Sequence, residues 1–256
     1  MLRPFQTLRG AKLAASDGEI GHVRDFYFDD QTWTVRYFVV NTGSWLFGRE
    51  VLVAPHALGE VDLERGVIGV HLTREQVRES PPLDADKPVS RQHEEELHAY
   101  YGWNPYWQPF DSGLGMMPPP VAFIAPLPDD APVSDSKGDA ADSPSEHLHS
   151  DPHLRSATEL LSGYTLHATD GEIGRVDDVI LDDRDWRVCY LVVHTGAWFH
   201  GKSALLPAAR IQRISYEEAE VFVDLSRDTI KDAPAYDPAG PITDEQERSL
   251  EKHYAR

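Results

Sequence analysis

Three groups of side chains have types and spacings that could do chemistry. Acidic residues recur at Asp25, Asp29 and Asp30, and again at Asp178, Asp182 and Asp183, with Asp177 and Asp185 added to the second set. Carboxylates gathered where two turns converge are oxygen donors for a divalent cation. Their spacing is not that of an EF-hand loop, and aspartates at strand ends bond nearby backbone amides. Turn duty is the expected role. His147, His149 and His153, in SEHLHSDPH, could chelate zinc or nickel at neutral pH. They stand in a polar stretch where clustered histidines need no metal to explain them. Cys189, the one thiol of the chain, has no Cys/His arrangement beside it in sequence, so packing is expected rather than nucleophilic work. One cysteine also excludes an internal disulfide and any Cys-based zinc or iron–sulfur site. The G-x-S-x-G, Walker, G-x-G-x-x-G and H-E-x-x-H signatures do not occur. The residues therefore predict a protein that is not an enzyme, with no catalytic residue, cofactor or metal site.

Aromatic residues make a different kind of candidate. Tyr100, Tyr101, Trp103, Tyr106, Trp107 and Phe110 form the densest aromatic run, interrupted by Pro105 and Pro109. Aromatics anchor interfaces, but six of them exposed together would be an aggregation hazard. The run is expected to clamp back onto the fold. Trp45 and Trp198, each in T-G-x-W, are expected in packing within or between folded units.

These candidates sit in an internal repeat, which sets the elements that position them. Residues 8–48 align with residues 161–201, with 22 identities in 41 positions. Downstream, 70–82 matches 223–235, and 88–101 matches 241–254. Within each copy the period is two: Trp33, Val35, Tyr37 and Val39 alternate with Thr34, Arg36, Phe38 and Val40, and Trp186, Val188, Tyr190 and Val192 repeat the first face. Such spacing of β-branched and aromatic residues predicts strand. Asp17-Gly18 and Asp170-Gly171 predict tight hairpin turns. About six short strands with turns this close predict a small, closed antiparallel barrel, mainly β. Each copy then ends in a short helix opened by Ser90 or Thr243, with Thr243 and Gln246 spaced as a capping box. The apolar stripes are thin: His93, Leu97, Tyr100 and Tyr101 in one, Gln246, Leu250 and Tyr254 in the other. A stripe that narrow anchors one row on a neighbour. The expected organisation is copy one with its helix over 1–103, a linker over 104–153, and copy two with its helix over 154–256. Ten of the 19 prolines fall in 105–152, which marks the linker.

The ordered set D-G-E-I-G-x-V-x-D, then D-D-x-x-W-x-V-x-Y-x-V-V-x-T-G-x-W, occurs twice and resembles the PRC-barrel. That domain is shared by the cytoplasmic part of the photosynthetic reaction-centre H subunit and the C-terminal half of the ribosome-maturation factor RimM. The resemblance covers about 80 residues in each copy. It implies two six-stranded antiparallel barrels acting as an assembly or binding module, with no catalytic residue to carry over. The reading is a non-catalytic protein–protein interaction module with an unidentified protein partner. Its two copies pack as a pseudo-twofold unit, with Trp45, Trp198, Leu97, Tyr100, Tyr101, Leu250, Tyr254, Trp103, Tyr106 and Trp107 at or near contacts. The alternatives are an RNA- or ribosome-associated factor, and a reaction-centre-like or stress-related protein binding a small molecule or metal.

Charge weighs among these. The chain holds 24 Lys plus Arg against 43 Asp plus Glu, a net −19. The excess repels phosphate backbones, so a nucleic-acid partner is not expected. A face gathering Arg9, Lys12, Arg24, Arg36 and Arg49 would revive one. No apolar leader core opens the chain, and no stretch approaches the ~20 apolar residues of a membrane span. A cytoplasmic location without membrane insertion is expected.

Overall fold

The computed structural model describes residues 1–83, 89–107, 154–195, 203–238 and 240–255. The first copy runs β1 (Leu2–Pro4), α1 (Phe5–Leu8), β2 (Lys12–Ala15), β3 (Gly18–Asp29), β4 (Thr34–Asn41), β5 (Glu50–Val53), β6 (Leu58–Asp62), β7 (Val67–Val70), α2 (Arg74–Glu79) and α3 (Arg91–Tyr101). The second runs β8 (Leu154–Ser156), α4 (Ala157–Leu160), β9 (Thr165–Ala168), β10 (Gly171–Asp182), β11 (Arg187–His194), β12 (Ser203–Pro207), β13 (Ile211–Ser215), β14 (Glu220–Val223), α5 (Arg227–Lys231), β15 (Ala235–Tyr236) and α6 (Asp244–Tyr254). The molecule is mainly β, and each copy closes with a short helix, as its sequence predicts.

Within the first copy the strand order is β6-β7-β2-β3-β4-β5, and the second repeats it as β13-β14-β9-β10-β11-β12. The expectation of entirely antiparallel strands needs one correction per copy. The β2–β7 and β9–β14 ladders are parallel. The cause lies between β5 and β6, where the short 3-10 turn Pro55–Ala57 carries the chain onward instead of reversing it as a hairpin. β6 then runs in the sense of β5, and β7 in the sense of β2. Ala208–Arg210 does the same in the second copy. Among the described residues no ladder joins β5 to β6 or β12 to β13.

The repeated motifs now have physical reasons. In both hairpins the glycine of Asp-Gly has positive φ (Gly18 at 136°, Gly171 at 133°). The preceding aspartate turns outward: Asp17 accepts the Arg74 N–H at 3.0 Å, and Asp170 accepts the Arg227 N–H at 2.8 Å, each at the start of a helix. Three residues on, Gly21 and Gly174 lie so close to the neighbouring strand that a Cβ would overlap the Asn41 or His194 carbonyl. Positive φ accounts for the first glycine of D-G-E-I-G, and this crowding for the second.

A bulge in β4 re-aims the core. Phe28 pairs with Val35 while Tyr27 pairs with Tyr37, which leaves Arg36 as the extra residue; Cys189 is the extra residue at the matching point of β11. Because a bulge shifts the alternation by one, Val35, Phe38 and Val40 all face the main core, whereas Tyr37 and Val39 face outward under α3. Leu97 seals that outer cluster with Leu52, Val89 and Leu154.

Candidate functional site

The N-terminal segment of each copy pairs with the other copy. β1 runs antiparallel to β10, with Leu2 opposite Asp182 and Pro4 opposite Ile180. β8 does the same on β3, with Leu154 opposite Asp29 and Ser156 opposite Tyr27. The first segment then reaches its own copy again: Phe5, fully buried, packs edge-on against Phe26 at 4.8 Å between ring centres.

Two aspartates at equivalent positions hold these crossings. Asp25 accepts the Ser156 hydroxyl at 2.5 Å and the Thr158 N–H at 2.9 Å. Asp178 accepts the Gln6 N–H at 3.3 Å and that of Val179 at 2.8 Å. Both carboxyls have raised pKa values because burial disfavours their charged forms, Asp178 up to about 6.

Between the exchanged strands lie two tryptophans whose role sequence reading misses. Trp33 and Trp186 adopt left-handed backbone, with φ of 58° and 54°. Bulky residues rarely do so without a structural cause. Each tryptophan N–H donates to the carbonyl of the strand-end aspartate, Asp29 at 2.7 Å or Asp182 at 2.8 Å. Each tryptophan carbonyl is thereby aimed at the other copy: Val35 N–H donates to Trp186 at 2.8 Å, and Val188 N–H to Trp33 at 2.7 Å. The rings are buried, Trp186 edge-on to Phe38 at 4.8 Å and Trp33 stacked on Phe28 at 5.5 Å. The readable signal was D-D-x-x-W, present twice; its period-two context disguised the tryptophan as an ordinary strand residue.

Three more of these acids hold local geometry. Asp29 accepts the N–H groups of Gln31 and Thr32 and binds Arg36 at 3.0 Å. Asp30 pairs with Arg155 at 3.1 Å. Asp182 is engaged by Arg184 and the N-terminal ammonium, and the Arg184 hydrogen bond holds its carboxyl well below the usual carboxylate range. Among the described residues no cluster of acids, histidines and cysteine is placed to hold a metal. His147, His149 and His153 lie outside the described residues, as does Trp198. Three of the basic residues weighed for a nucleic-acid face are also engaged: Lys12 by Glu19, Arg24 by Glu50, and Arg49 by the Arg78 and Ser80 carbonyls.

Trp45 donates its indole N–H to the Ile20 carbonyl at 2.5 Å and carries the Arg74 guanidinium over its ring, both residues of its own copy. Tyr100 is partly exposed and donates to the Gln76 carbonyl at 2.8 Å. The aromatic run folds back as far as it is described. Trp103 stacks on Tyr101 at 4.3 Å and meets His56 edge-on. Tyr106 lies under Arg36 at 3.9 Å and donates to Glu94 at 2.8 Å, and Trp107 lies under Arg91 at 4.2 Å. Beneath them Glu94, fully buried, accepts from the Tyr37 hydroxyl at 2.9 Å. Burial, with the Glu94 charge nearby, pushes the Tyr37 phenol far up. In the second copy Leu250 is buried in the core, and the Tyr254 hydroxyl donates to the Leu205 carbonyl at 2.9 Å.

The PRC-barrel domain model matches residues 5–77 and 161–230. A protein of Deinococcus radiodurans described only as "Uncharacterized protein" is 35% identical over 86 residues, which are 34% of this chain and 31% of that one. The alignment thus spans about a third of that relative's length.

Proposed function

Since the chain belongs to the PRC-barrel family, twice over, we propose that it is a non-catalytic binding module whose two copies form one internally exchanged pseudo-dimer. The observation that carries this reading is the reciprocal pairing of β1 with β10 and β8 with β3. A two-fold dimer uses one patch on both subunits, and each copy here offers the other the same strand edge, the same aspartate and the same tryptophan. On this reading 1–103 and 154–256 are halves of one folded body rather than independent beads. Conserving both patches in one chain serves a rigid platform, and such a platform works through its outer surface. The engaged arginines and the net charge favour protein over nucleic acid as partner. No helix of the described residues is long and apolar enough to cross a membrane.

Affinity capture of the full chain from lysate, with chemical cross-linking and with or without nuclease, tests this. The same protein bands are expected in both arms, cross-linked at discrete surface residues. Loss of every captured protein on nuclease treatment would replace the reading with an RNA-dependent one.

A further inference from the structure

We propose that the outer face of the second copy, where α6 crosses β11, is a docking cleft for a partner segment carrying a Tyr or Trp beside an Arg or Lys. The proposal rests on the binding-module reading above and names the chemistry of its partner. The first copy supplies the argument, because its own chain already occupies the equivalent face. There Tyr106 and Trp107 lie over α3 and β4: the phenol donates to Glu94, and the rings are covered by Arg36 and Arg91.

The second copy keeps the floor of this arrangement and reverses its charge. Tyr190 stands where Tyr37 does, Tyr254 where Tyr101 does, and Glu247 where the acceptor Glu94 does. Arg36 and Arg91, the two cations, become Cys189 and Asp244, and His98 becomes Glu251. An open cleft of about 540 Å³ remains, lined by Trp33, Cys189, Tyr190, Glu247, Glu251 and Tyr254. Asp185, Arg187 and Arg210 also line it, and Arg210 is paired with Asp224 at 3.0 Å. Asp185, Glu247 and Glu251 have no ion pair among the described residues. An aromatic segment seated here would find its hydrogen-bond acceptor and aromatic floor but neither of the two cations that cover the rings in the first copy. The occupant must therefore bring the positive charge itself, and the three free carboxylates complement it.

The probe is a labelled synthetic peptide, Arg-Trp-Asn-Pro-Tyr-Trp-Arg, which repeats residues 103–107 between two arginines, titrated into the full-length protein by fluorescence anisotropy. Saturable binding is expected, at least tenfold tighter than for the same peptide flanked by glutamates. Glu247→Gln with Glu251→Gln should weaken it at least fivefold with Tm unchanged, and Glu247→Gln alone serves if the pair fails to fold. Because Cys189 is the single thiol of the chain, saturating peptide should slow its reaction with a maleimide at least threefold. Equal binding of the two peptides, unchanged affinity in the variants, or an unprotected Cys189 would each overturn the cleft. If proteins are still captured from lysate while the peptide fails, the cleft is wrong and the binding-module reading stands.

Discussion

Asp25 and Asp178 show how one residue type serves folding and assembly together. Each ends a bond network that reaches the exchanged segment of the other copy, and each is buried enough to disfavour its charge. The sign of the pH effect follows. A carboxyl whose folded pKa exceeds its unfolded value near 3.8 makes the folded state bind more protons. Its contribution to stability is therefore full below pH 4 and lost as pH rises through about 6 for Asp178. A shift of about two units corresponds to a difference on the order of 2–3 kcal/mol. Asp182 works in another window: its depressed pKa gives stability present above pH 4 and lost in stronger acid. His98, which is buried, and the less covered His56 and His93 have pKa values lowered by desolvation and gain stability as pH rises toward 6.5, opposing Asp178, so the comparison must be with a variant. Asp178→Asn should gain on wild type as pH is raised from 4.5 to 7.5, by about 2 kcal/mol in urea unfolding. A difference that stays flat across that range would show that Asp178 is not the buried, perturbed group described.

At the scale of elements, Phe5 offers the sharpest measurement. It lies fully buried against Phe26 at the point where the segment returns to its own copy after β1. Removing such a ring leaves a cavity that costs about 3–5 kcal/mol. Phe5→Ala should therefore lower the urea-unfolding free energy by that amount, while exposed Gln6→Ala changes it by less than about 0.5 kcal/mol. A cost below about 1 kcal/mol for Phe5→Ala would mean that the crossing segment is not part of the cooperative core. None of this was legible in the sequence. β1 and β8 are three residues long, too short to carry a period of two, and their partners lie more than a hundred residues away in the chain. The parallel ladders escaped for a related reason, since a 3-10 turn and a hairpin turn use similar residues and differ in where they send the chain. What the sequence did carry was local and repeated: the Asp-Gly hairpins, the long central strands, and the caps at Ser90 and Thr243 that accept the N–H groups of His93 and Gln246. The candidate interface residues were legible as aromatics but not as places. Tyr106 and Trp107 pack back on α3, the clamp expected of their run, whereas Trp33 and Trp186, read as strand, stand where the copies meet.

Across the whole molecule, duplication and exchange have a joint consequence for folding. The hydrogen bonds of β1 with β10, β8 with β3, and Trp33 and Trp186 with Val188 and Val35 all run between copies. A half taken alone would present an unpaired edge on its long central strand and its one junction tryptophan, Trp33 or Trp186, facing solvent, a surface that invites pairing. Covalent connection makes the pairing intramolecular, so the partner is present at an effective concentration that separate chains lack. Residues 1–107 and 154–256, expressed as separate chains, are therefore expected to form dimers or remain poorly folded alone. Mixed in equal amounts they should yield a 1:1 complex with one cooperative thermal transition and the circular dichroism of the intact chain. Analytical ultracentrifugation of each half and of the mixture gives the answer. A half that sediments as a monomer and unfolds cooperatively alone would make the exchange an embellishment of two independent domains. Recovery only on mixing would instead make the pair the unit of folding, and its continuous outer surface the unit a partner recognises.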